Sequence, residues 1–308
     1  MSSNGAHRLE CEYHLVDVFT QTPFEGNGLA VFPDARSLDA GTMQKIAREM
    51  NLSETTFVFP PTGNNAVARV RIFTPAYEME FAGHPTIGTA YVLRMLGKID
   101  AAVSTFTFEE NVGLVPLRVD GGDDPLVWLT TPPIKKGDTF DRGSCVRALG
   151  LTEDDLLPDV PCELYSAGNP NIYIPLRDAA AVDRAAIDSA GFHELLKHRS
   201  EPTCLFLFTP TSVGAYSRMF SLDLGINEDP ATGSATGPLA AFMMDHKLVA
   251  HGDGTRFYSE QGKKMGRRSI LHVLVRGDYG ADGIDVGGHV VPIASATMKV
   301  ELLSGGRA

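Results

Sequence analysis

Cysteine is scarce in this sequence: its 308 residues include four, and no two of them have CxxC spacing. The four are Cys11, Cys145, Cys162 and Cys204. Nothing at the N-terminus resembles a signal peptide, so we predict a cytoplasmic protein with free thiols. Apolar runs are also short, and none approaches the ~20 residues that a membrane-spanning helix needs. We therefore expect no contact with a membrane.

Positive charge is the second shortage. The chain has 27 Lys and Arg against 38 Asp and Glu, which gives a net charge of −11. An acidic protein repels the phosphates of nucleic acids and of anionic lipids, so we expect neither as a partner. The basic cluster at residues 263–268 stands between two predicted strands and is typical of a solvated hairpin tip.

Sequence motifs for cofactors are missing as well. There is no P-loop, no GxGxxG after a strand, no HExxH, no His/Cys group with zinc spacing and no GxSxG elbow. We therefore predict a protein with no cofactor and no metal. Two classes of function remain, namely catalysis by ionisable side chains on a small-molecule substrate and simple ligand binding.

An internal repeat is the most informative feature that is present. Arg69–Phe73 followed by Phe81–Gly88 resembles Tyr216–Phe220 followed by Pro230–Gly237. Each passage is typical of a strand, a Gly-containing turn and a helix. The alternative is chance, because small-residue turns before helices are common. If the repeat is real, it predicts two similar domains related by a pseudo-twofold axis, with two facing helix N-termini that form an anion site.

A second echo supports the repeat, since Gly26-Asn27-Gly28 and Gly168-Asn169-Pro170 each precede a predicted strand. Strands outnumber helices, which predicts an α+β fold in which each domain is a curled mixed sheet around a central helix. The stiff, polar segment after Pro132 predicts the boundary. We expect residues 1–132, joined by a C-terminal strand at about 290–308, to form one domain and residues 133–289 the other, with a frayed tail at residues 1–10.

Glu54 is the first candidate for chemistry. It stands at a predicted helix-to-strand junction between the apolar Leu52 and Phe57. A carboxyl group in an apolar pocket has a raised pKa and can exchange protons at cellular pH. The alternative, which the residues alone favour, is a solvated loop glutamate.

The two Gly turns hold the other candidates. His84 precedes a predicted helix, where it could donate to a carboxylate, shuttle a proton or cap its own helix. Asp229 could bind an ammonium or a hydroxyl group, and Ser234 a carboxylate. The alternative for both is that they satisfy N–H groups of the turn and the helix.

These passages, together with several others, resemble the PhzF-like isomerase family of phenazine biosynthesis. The matching motifs occur in the family's order over residues 13 to about 270: Phe19-Thr20, Pro23–Asn27, Leu29–Phe32, Asn51–Phe57, Arg71–Pro75, Phe81–Gly88, Asn227–Ser234, Glu260–Gly262 and Met265–Arg267. The resemblance implies the diaminopimelate-epimerase fold, with the active site between two domains. It also implies a protein that needs no cofactor and is usually a homodimer.

The resemblance implies a function too: isomerisation of a small amino/carboxylate substrate such as trans-2,3-dihydro-3-hydroxyanthranilate. By position, the family's acid/base residue is Glu54. The substrate-contacting residues it implies are Ser53, Gly83, His84, Asp229, Gly233 and Ser234. Two alternatives remain open, namely an epimerase or double-bond isomerase acting on another metabolite, and a binder without catalysis.

One comparison separates reaction types. Epimerases of the implied fold use two cysteines, one before each Gly turn, and those positions here hold Ala82 and Thr232. Neither side chain can act as a thiolate base, so the sequence argues against a two-cysteine racemase and favours a single carboxyl base.

Overall fold

The computed structural model describes residues 7–122, 124–224, 226–277 and 283–302. The first half of the chain contains the helices α1 (Ala40–Met50) and α2 (Gly83–Met95). Its strands are β1 (His7–Val18), β2 (Asn27–Phe32), β3 (Glu54–Phe59), β4 (Ala68–Phe73), β5 (Glu78–Met79), β6 (Thr105–Glu110), β7 (Gly113–Val119) and β8 (Val127–Thr130).

The second half contains the helices α3 (Arg142–Arg147), α4 (Ala179–Arg184), α5 (Ser189–Leu196) and α6 (Gly233–Asp245). Its strands are β9 (Lys135–Phe140), β10 (Cys162–Ser166), β11 (Pro170–Pro175), β12 (Cys204–Thr211), β13 (Gly214–Ser221), β14 (Ile226–Asp229), β15 (Arg256–Gln261), β16 (Ser269–Val275), β17 (Ile284–Gly288) and β18 (Val290–Leu302).

Strand pairing follows one pattern in both halves. In the first half, β1–β2 and β3–β4 are antiparallel, β2–β3 and β4–β6 are parallel, and β6–β7–β8 is antiparallel. In the second half, β10–β11 and β12–β13 are antiparallel, β11–β12 and β13–β15 are parallel, and β15–β16–β17 is antiparallel. This identity confirms the predicted α+β fold with two similar halves.

The repeat extends to partly buried side-chain pairs. Arg71 on β4 makes two hydrogen bonds to Glu78 on β5, at 2.7 and 2.6 Å, and its guanidinium lies over the Phe73 ring. Arg218 on β13 does the same with Glu228 on β14, at 2.8 and 2.9 Å, and with the Phe220 ring. Two-point Arg–carboxylate contacts fix direction as well as distance, so each pair holds the short strand that leads into a Gly turn.

The two halves meet where β8 pairs antiparallel with β17. At the outer edges, β18 pairs with β1 and β9 pairs with β10. The pairing of β1 with β18 begins at His7, so the expectation of a frayed tail is wrong for residues 7–10; residues 1–6 and 303–308 lie outside the described residues. The division of the chain into residues 1–132 with 290–308, and 133–289, stays a prediction.

The helices α2 and α6 form the centres of the two halves. Ten of the 13 residues of α2 and 12 of the 13 residues of α6 are buried. A helix that is apolar on nearly every side belongs inside a fold rather than on its surface. α2 packs against β1, β2, β3 and β8, and α6 packs against β10, β11, β16 and β17. This packing fixes the position and direction of both helices, and therefore of their N-termini.

The residue pattern predicts helices over residues 179–190 and 192–198, and the break between them is misplaced. The structure has α4 and α5 instead, each with its own N-cap: Asp178 accepts from the N–H of Ala181, and Asp188 from the N–H of Gly191. An aspartate in this cap conformation starts a helix rather than continuing one, so a new helix begins directly after Asp188. α4 contacts β13, where Arg218 Nη1 donates to Val182 O at 3.0 Å and to Ala185 O at 2.7 Å.

Candidate active site

The N-termini of α2 and α6 touch each other through two glycines. A Cβ placed on Gly83 would lie 2.8 Å from Cα and C of Gly233 and from N of Ser234. The N-cap residues Ala82 and Thr232 give no side-chain hydrogen bond to their helices. The first N–H groups of both helices thus lack caps and carry the positive ends of two helix dipoles. Such a junction favours an anion, as the repeat predicts.

Glu54 is the first residue of β3, and its side chain is buried beside this junction. Burial raises its pKa well above the ordinary range, and the negative charge of Asp229 raises it further. The alternative of a solvated loop glutamate is therefore wrong. A carboxyl group held in this way can both accept and return a proton near neutral pH.

His84, in the first turn of α2, faces Glu54. Its Nε2 lies 3.2 Å from Glu54 Oε2, and burial lowers the pKa of the imidazole to about 3, so the ring is neutral. Asn27 fixes the tautomer. Its Nδ2 has two protons, which it donates to Asp229 Oδ1 at 2.8 Å and to Ala231 O at 3.1 Å, and it cannot accept a hydrogen bond. A proton on His84 Nδ1, 3.3 Å from this donor, is therefore disfavoured. The proton is therefore assigned to Nε2, the nitrogen on the side of Glu54.

Asp229 ends β14 and is also buried. Burial raises its pKa to about 6, against hydrogen bonds from Thr232, Asn27 and Ser53 that favour the charged form. Thr232 Oγ1 donates to Asp229 Oδ2 at 2.6 Å. At neutral pH this carboxyl is ionised, and its charge adds to the effect of burial in raising the pKa of Glu54.

A small cavity of about 40 Å³ gathers most of the sequence-predicted residues. Its lining includes six of them: Glu54, Gly83, His84, Asp229, Gly233 and Ser234. Ser53 is the exception. Its side chain forms a hydrogen bond with Asp229, and it lines another cavity, of about 360 Å³, together with Asn27 and Arg267.

Sequence reasoning missed three asparagines at this site. Asn27 and Asn169 cross between the halves: Asn27 bonds to the turn before α6, and Asn169 Nδ2 donates to Phe81 O before α2 and to Ser234 Oγ, both at 3.3 Å. Asn171 is buried and lines the cavity. The repeated Gly-Asn passage carried a signal for the first two, because an identical residue before equivalent strands indicates an equivalent position. Asn171 breaks the repeat and had no such signal.

Several buried polar atoms at the cavity lack a well-aligned hydrogen-bond partner. Within the described ranges these atoms include Glu54 Oε2, His84 Nε2 and Asn171 Oδ1. The first two lie close together but at a poor angle for a hydrogen bond. The amide of Asn171 is correctly oriented because its Nδ2 donates to Asn169 O at 2.9 Å, which leaves the oxygen as the unpaired atom. Buried polar atoms of this kind are rare, and here they offer two acceptors and one donor to a polar ligand.

An apolar wall completes the cavity and consists of Met79, Met219 and Cys204. Burial raises the pKa of the Cys204 thiol to about 12, so it stays protonated. In the part of the chain that the structure describes, no group of His, Cys, Asp and Glu side chains could hold a metal ion. No helix among the described residues is long and apolar enough to cross a membrane.

We expect alkylation of native protein by iodoacetamide to leave activity unchanged. All four cysteines are buried, and the thiolate that would react is scarce because burial raises the pKa of Cys11 and Cys204. Activity assays and mass spectrometry of the treated protein check this, with urea-unfolded protein as the positive control for reaction. Stoichiometric modification of one thiol with loss of activity and an intact fold would contradict the expectation.

This chain is similar in sequence and structure to known isomerases and to solved PhzF-family proteins. The family profile described as "Phenazine biosynthesis-like protein" (PhzC-PhzF) matches residues 16–296. An uncharacterized isomerase of Mesorhizobium japonicum is 36% identical, over 94% of this chain and 98% of its own. A trans-2,3-dihydro-3-hydroxyanthranilate isomerase of Pseudomonas aeruginosa is 34% identical, over 86% and 90%. The crystal structure of a Bacillus anthracis PhzF-family phenazine biosynthesis protein superposes with a TM-score of 0.84 at 26% identity, covering 94% of this chain and 99% of that one.

Proposed function

The chain belongs to the phenazine biosynthesis-like (PhzC-PhzF) family of isomerases, and we propose that it moves a proton within a small substrate that carries an amino group and a carboxylate. The observation that carries this proposal is the buried Glu54, beside a neutral His84 and an ionised Asp229, at the junction of two uncapped helix N-termini. A molecule of the trans-2,3-dihydro-3-hydroxyanthranilate type, which the Pseudomonas aeruginosa relative is named for, has both groups.

In the proposed reaction Glu54 acts as the base and then as the acid. Its carboxylate takes a proton from an allylic carbon of the substrate, and the electrons of that C–H bond shift into the neighbouring double bond. The resulting carboxylic acid returns the proton to another carbon on the same face. His84 Nε2–H lies 3.2 Å from Glu54 Oε2, at a poor angle in the free protein, and can donate to the carboxylate or to the substrate once the substrate is bound.

Binding falls to the groups around Glu54. The first N–H groups of α2 and α6, together with Ser234, hold the substrate carboxylate. Because Asn169 donates to Ser234 Oγ, the hydroxyl proton of Ser234 can be given to that carboxylate. Asp229 and the Asn171 amide oxygen accept from an ammonium or hydroxyl group. Burial of all these groups excludes water and strengthens each contact.

A two-cysteine mechanism does not fit this site. Ala82 and Thr232 occupy the positions before the two Gly turns, and Thr232 is engaged with Asp229 and Gln261. An epimerase or double-bond isomerase acting on another small metabolite stays as the second candidate. Incubating the protein with trans-2,3-dihydro-3-hydroxyanthranilate and following its ultraviolet spectrum tests the substrate. Absence of turnover, with solvent-deuterium exchange into other amino acids, would favour the second candidate.

Asp229→Asn should move the acidic limb of the pH profile to lower pH. Proton removal needs Glu54 as a carboxylate, so kcat/KM should fall as the pH drops through the raised pKa of Glu54. The charge of Asp229 contributes to that raised pKa, and the amide removes it. At neutral pH the variant should also lose about 1.5–3 kcal/mol of substrate stabilisation, because a charged hydrogen bond is lost.

Profiles of kcat/KM against pH measure both effects of Asp229→Asn. The exposed Asp223, six residues earlier, supplies the control: Asp223→Asn should leave the profile unchanged. An acidic limb at the same pH in Asp229→Asn and wild type would mean that Asp229 carries no charge in the free enzyme.

We also propose that the protein works without metal or nucleotide and as a homodimer, which rests on the family resemblance. Dialysis against EDTA should leave kcat/KM unchanged, and sedimentation at micromolar concentration should show a dimer. Loss of activity on chelation, restored by one added metal, would contradict the first expectation. A purely monomeric protein would contradict the second.

A further inference from the structure

Glu110, the last residue of β6, is a buried carboxyl group outside the candidate site. Its Oε1 lies 2.6 Å from Thr86 Oγ1, in the first turn of α2. Its Oε2 is buried and has no partner among the described residues. Glu110 therefore contacts the first turn of α2, the turn whose residues Gly83 and His84 line the cavity.

A count of hydrogen-bond donors and acceptors around Thr86 indicates that Glu110 is protonated. Thr86 Oγ1 also lies 2.7 Å from Ala82 O. A hydroxyl group has one proton to donate, and a carbonyl oxygen can only accept. Thr86 thus donates to Ala82 O, and the contact with Glu110 requires a donor on the glutamate side. A protonated Glu110 supplies it, which gives the relay Glu110 → Thr86 → Ala82.

The internal repeat gives independent support. Arg71 and Arg218 occupy equivalent positions, and two residues earlier Arg69 pairs with Glu109 while Tyr216 pairs with Glu260. One residue later on each parallel strand, Glu110 is therefore the counterpart of Gln261. Gln261 Nε2 donates to Thr232 Oγ1 at 2.9 Å and to Asp229 O at 2.8 Å. In the second half, a neutral donor at this position braces the turn that starts α6.

The surroundings of Glu110 keep it neutral. Burial raises its pKa to about 8, against a smaller opposing effect of the Thr86 hydrogen bond. The ionisable groups on the elements packed around it are engaged elsewhere or uncharged. His84 on α2 is neutral, Glu109 on β6 accepts from Thr62, and Glu78 on β5 pairs with Arg71. A carboxylic acid in this position has the shape of the Gln261 amide and, like it, can donate a hydrogen bond, although only one.

We propose that Glu110, as a neutral carboxylic acid, is a positioning residue that holds the first turn of α2 and so fixes the backbone N–H groups and the imidazole of His84 at the cavity. The consequence for activity rests on the proposed function. The protonation of Glu110 does not, because it follows from contacts within the fold.

Thermal stability as a function of pH tests the protonation without any substrate. A group whose pKa is raised on folding, here from the ordinary 4.5 to about 8, costs stability progressively as the pH rises through that window. Glu110→Gln removes this cost, so the Tm of the variant should gain on wild type between pH 5 and 8. A Tm difference that does not change with pH would overturn the proposal.

Glu109→Gln is the matched control, one residue away on the opposite face of the same strand, where the side chain is only half-buried. The pKa of Glu109 is lowered by hydrogen bonds from Thr62, so its contribution is present above its unfolded pKa and is lost as the pH falls. This variant should show no gain in Tm between pH 5 and 8. A gain equal to that of Glu110→Gln would mean that net charge, rather than the relay, sets the trend.

Turnover tests the positioning role. Glu110→Val removes the donor and should lower kcat/KM by about tenfold to a hundredfold through a displaced α2 start, whereas Glu110→Gln should restore it to near the wild-type value. Equal losses in both variants would overturn the positioning role. If wild type fails to turn over trans-2,3-dihydro-3-hydroxyanthranilate, the proposed function fails, and the Tm series alone decides the state of Glu110. The same series decides if Glu110→Val does not fold.

Discussion

Glu54→Gln should reduce the rate of isomerisation by a factor of at least about 10²–10⁴, because the amide cannot accept a proton. The glutamine side chain has the same shape as the glutamate and still lies beside His84, so the substrate should still bind. Measured kcat should therefore fall far more than KM rises. A variant that turns over substrate at near the wild-type rate would sink the single-carboxylate mechanism, whatever the substrate is.

The control for this variant is Glu49→Gln, an exposed glutamate near the end of α1, which should be indistinguishable from wild type. Heavy water provides a second measurement. If Glu54 carries the proton, wild-type product formed in deuterated solvent should contain deuterium at the reprotonated carbon. The fraction depends on how freely the Glu54 acid exchanges its proton during the cycle. Glu54→Gln should lose this incorporation together with the rate.

Gly83→Val should abolish the candidate site by separating the two helix ends. Even the first carbon of a side chain would lie 2.8 Å from three backbone atoms of Gly233 and Ser234, and backbone cannot swing aside as a flexible side chain does. A displacement of about 1 Å between groups that hold a substrate costs on the order of 10² in rate. We expect at least that loss in kcat/KM, with a lower Tm as the strain spreads into α2 and α6.

Gly63→Ala is the control for Gly83→Val, because a Cβ at Gly63 meets nothing within 4 Å. It should leave both kcat/KM and Tm unchanged. Full activity in Gly83→Val would show that the halves can move apart without harm, and would contradict the assignment of the joined helix ends as the anion site.

The fold was predictable because local patterns repeat in this chain. The strand–turn–helix passages at Arg69–Phe73 with Phe81–Gly88, and at Tyr216–Phe220 with Pro230–Gly237, carry strand and helix signals and a visible internal copy. Element boundaries were harder to predict: Pro85 is typical of the first turn of a helix and predicts a start there, but the helix begins at Gly83. Start positions depend on packing partners, which local sequence does not contain.

The candidate site was predictable only in part, for a related reason. Glu54, His84 and Asp229 stand at the ends of strands or helices within short, distinctive sequence motifs, so their types and neighbours already indicate chemistry. Asn171 and Cys204 are ordinary strand residues that line the cavity because β11 and β12 pair in parallel there. Such contacts join strands that are more than 30 residues apart in the sequence, and neither local segment carries a pattern that predicts them. Their roles in the site stay predictions until variants are measured.

The register of these parallel strands has a stereochemical consequence. Leu29 pairs with Glu54, and Asn171 pairs with Cys204. Asn27 and Asn169 occupy equivalent positions in the repeat, so Leu29 and Asn171, two residues later, are equivalent as well. Their strand partners are then also equivalent, which makes Cys204 the counterpart of Glu54 in the second half. The backbone thus offers a bound molecule two nearly identical sides, one with a carboxyl group and one with a thiol that does not ionise. If Glu54 is the base, we expect proton transfer on one face of the substrate only, because the equivalent position on the other side holds a thiol that stays protonated.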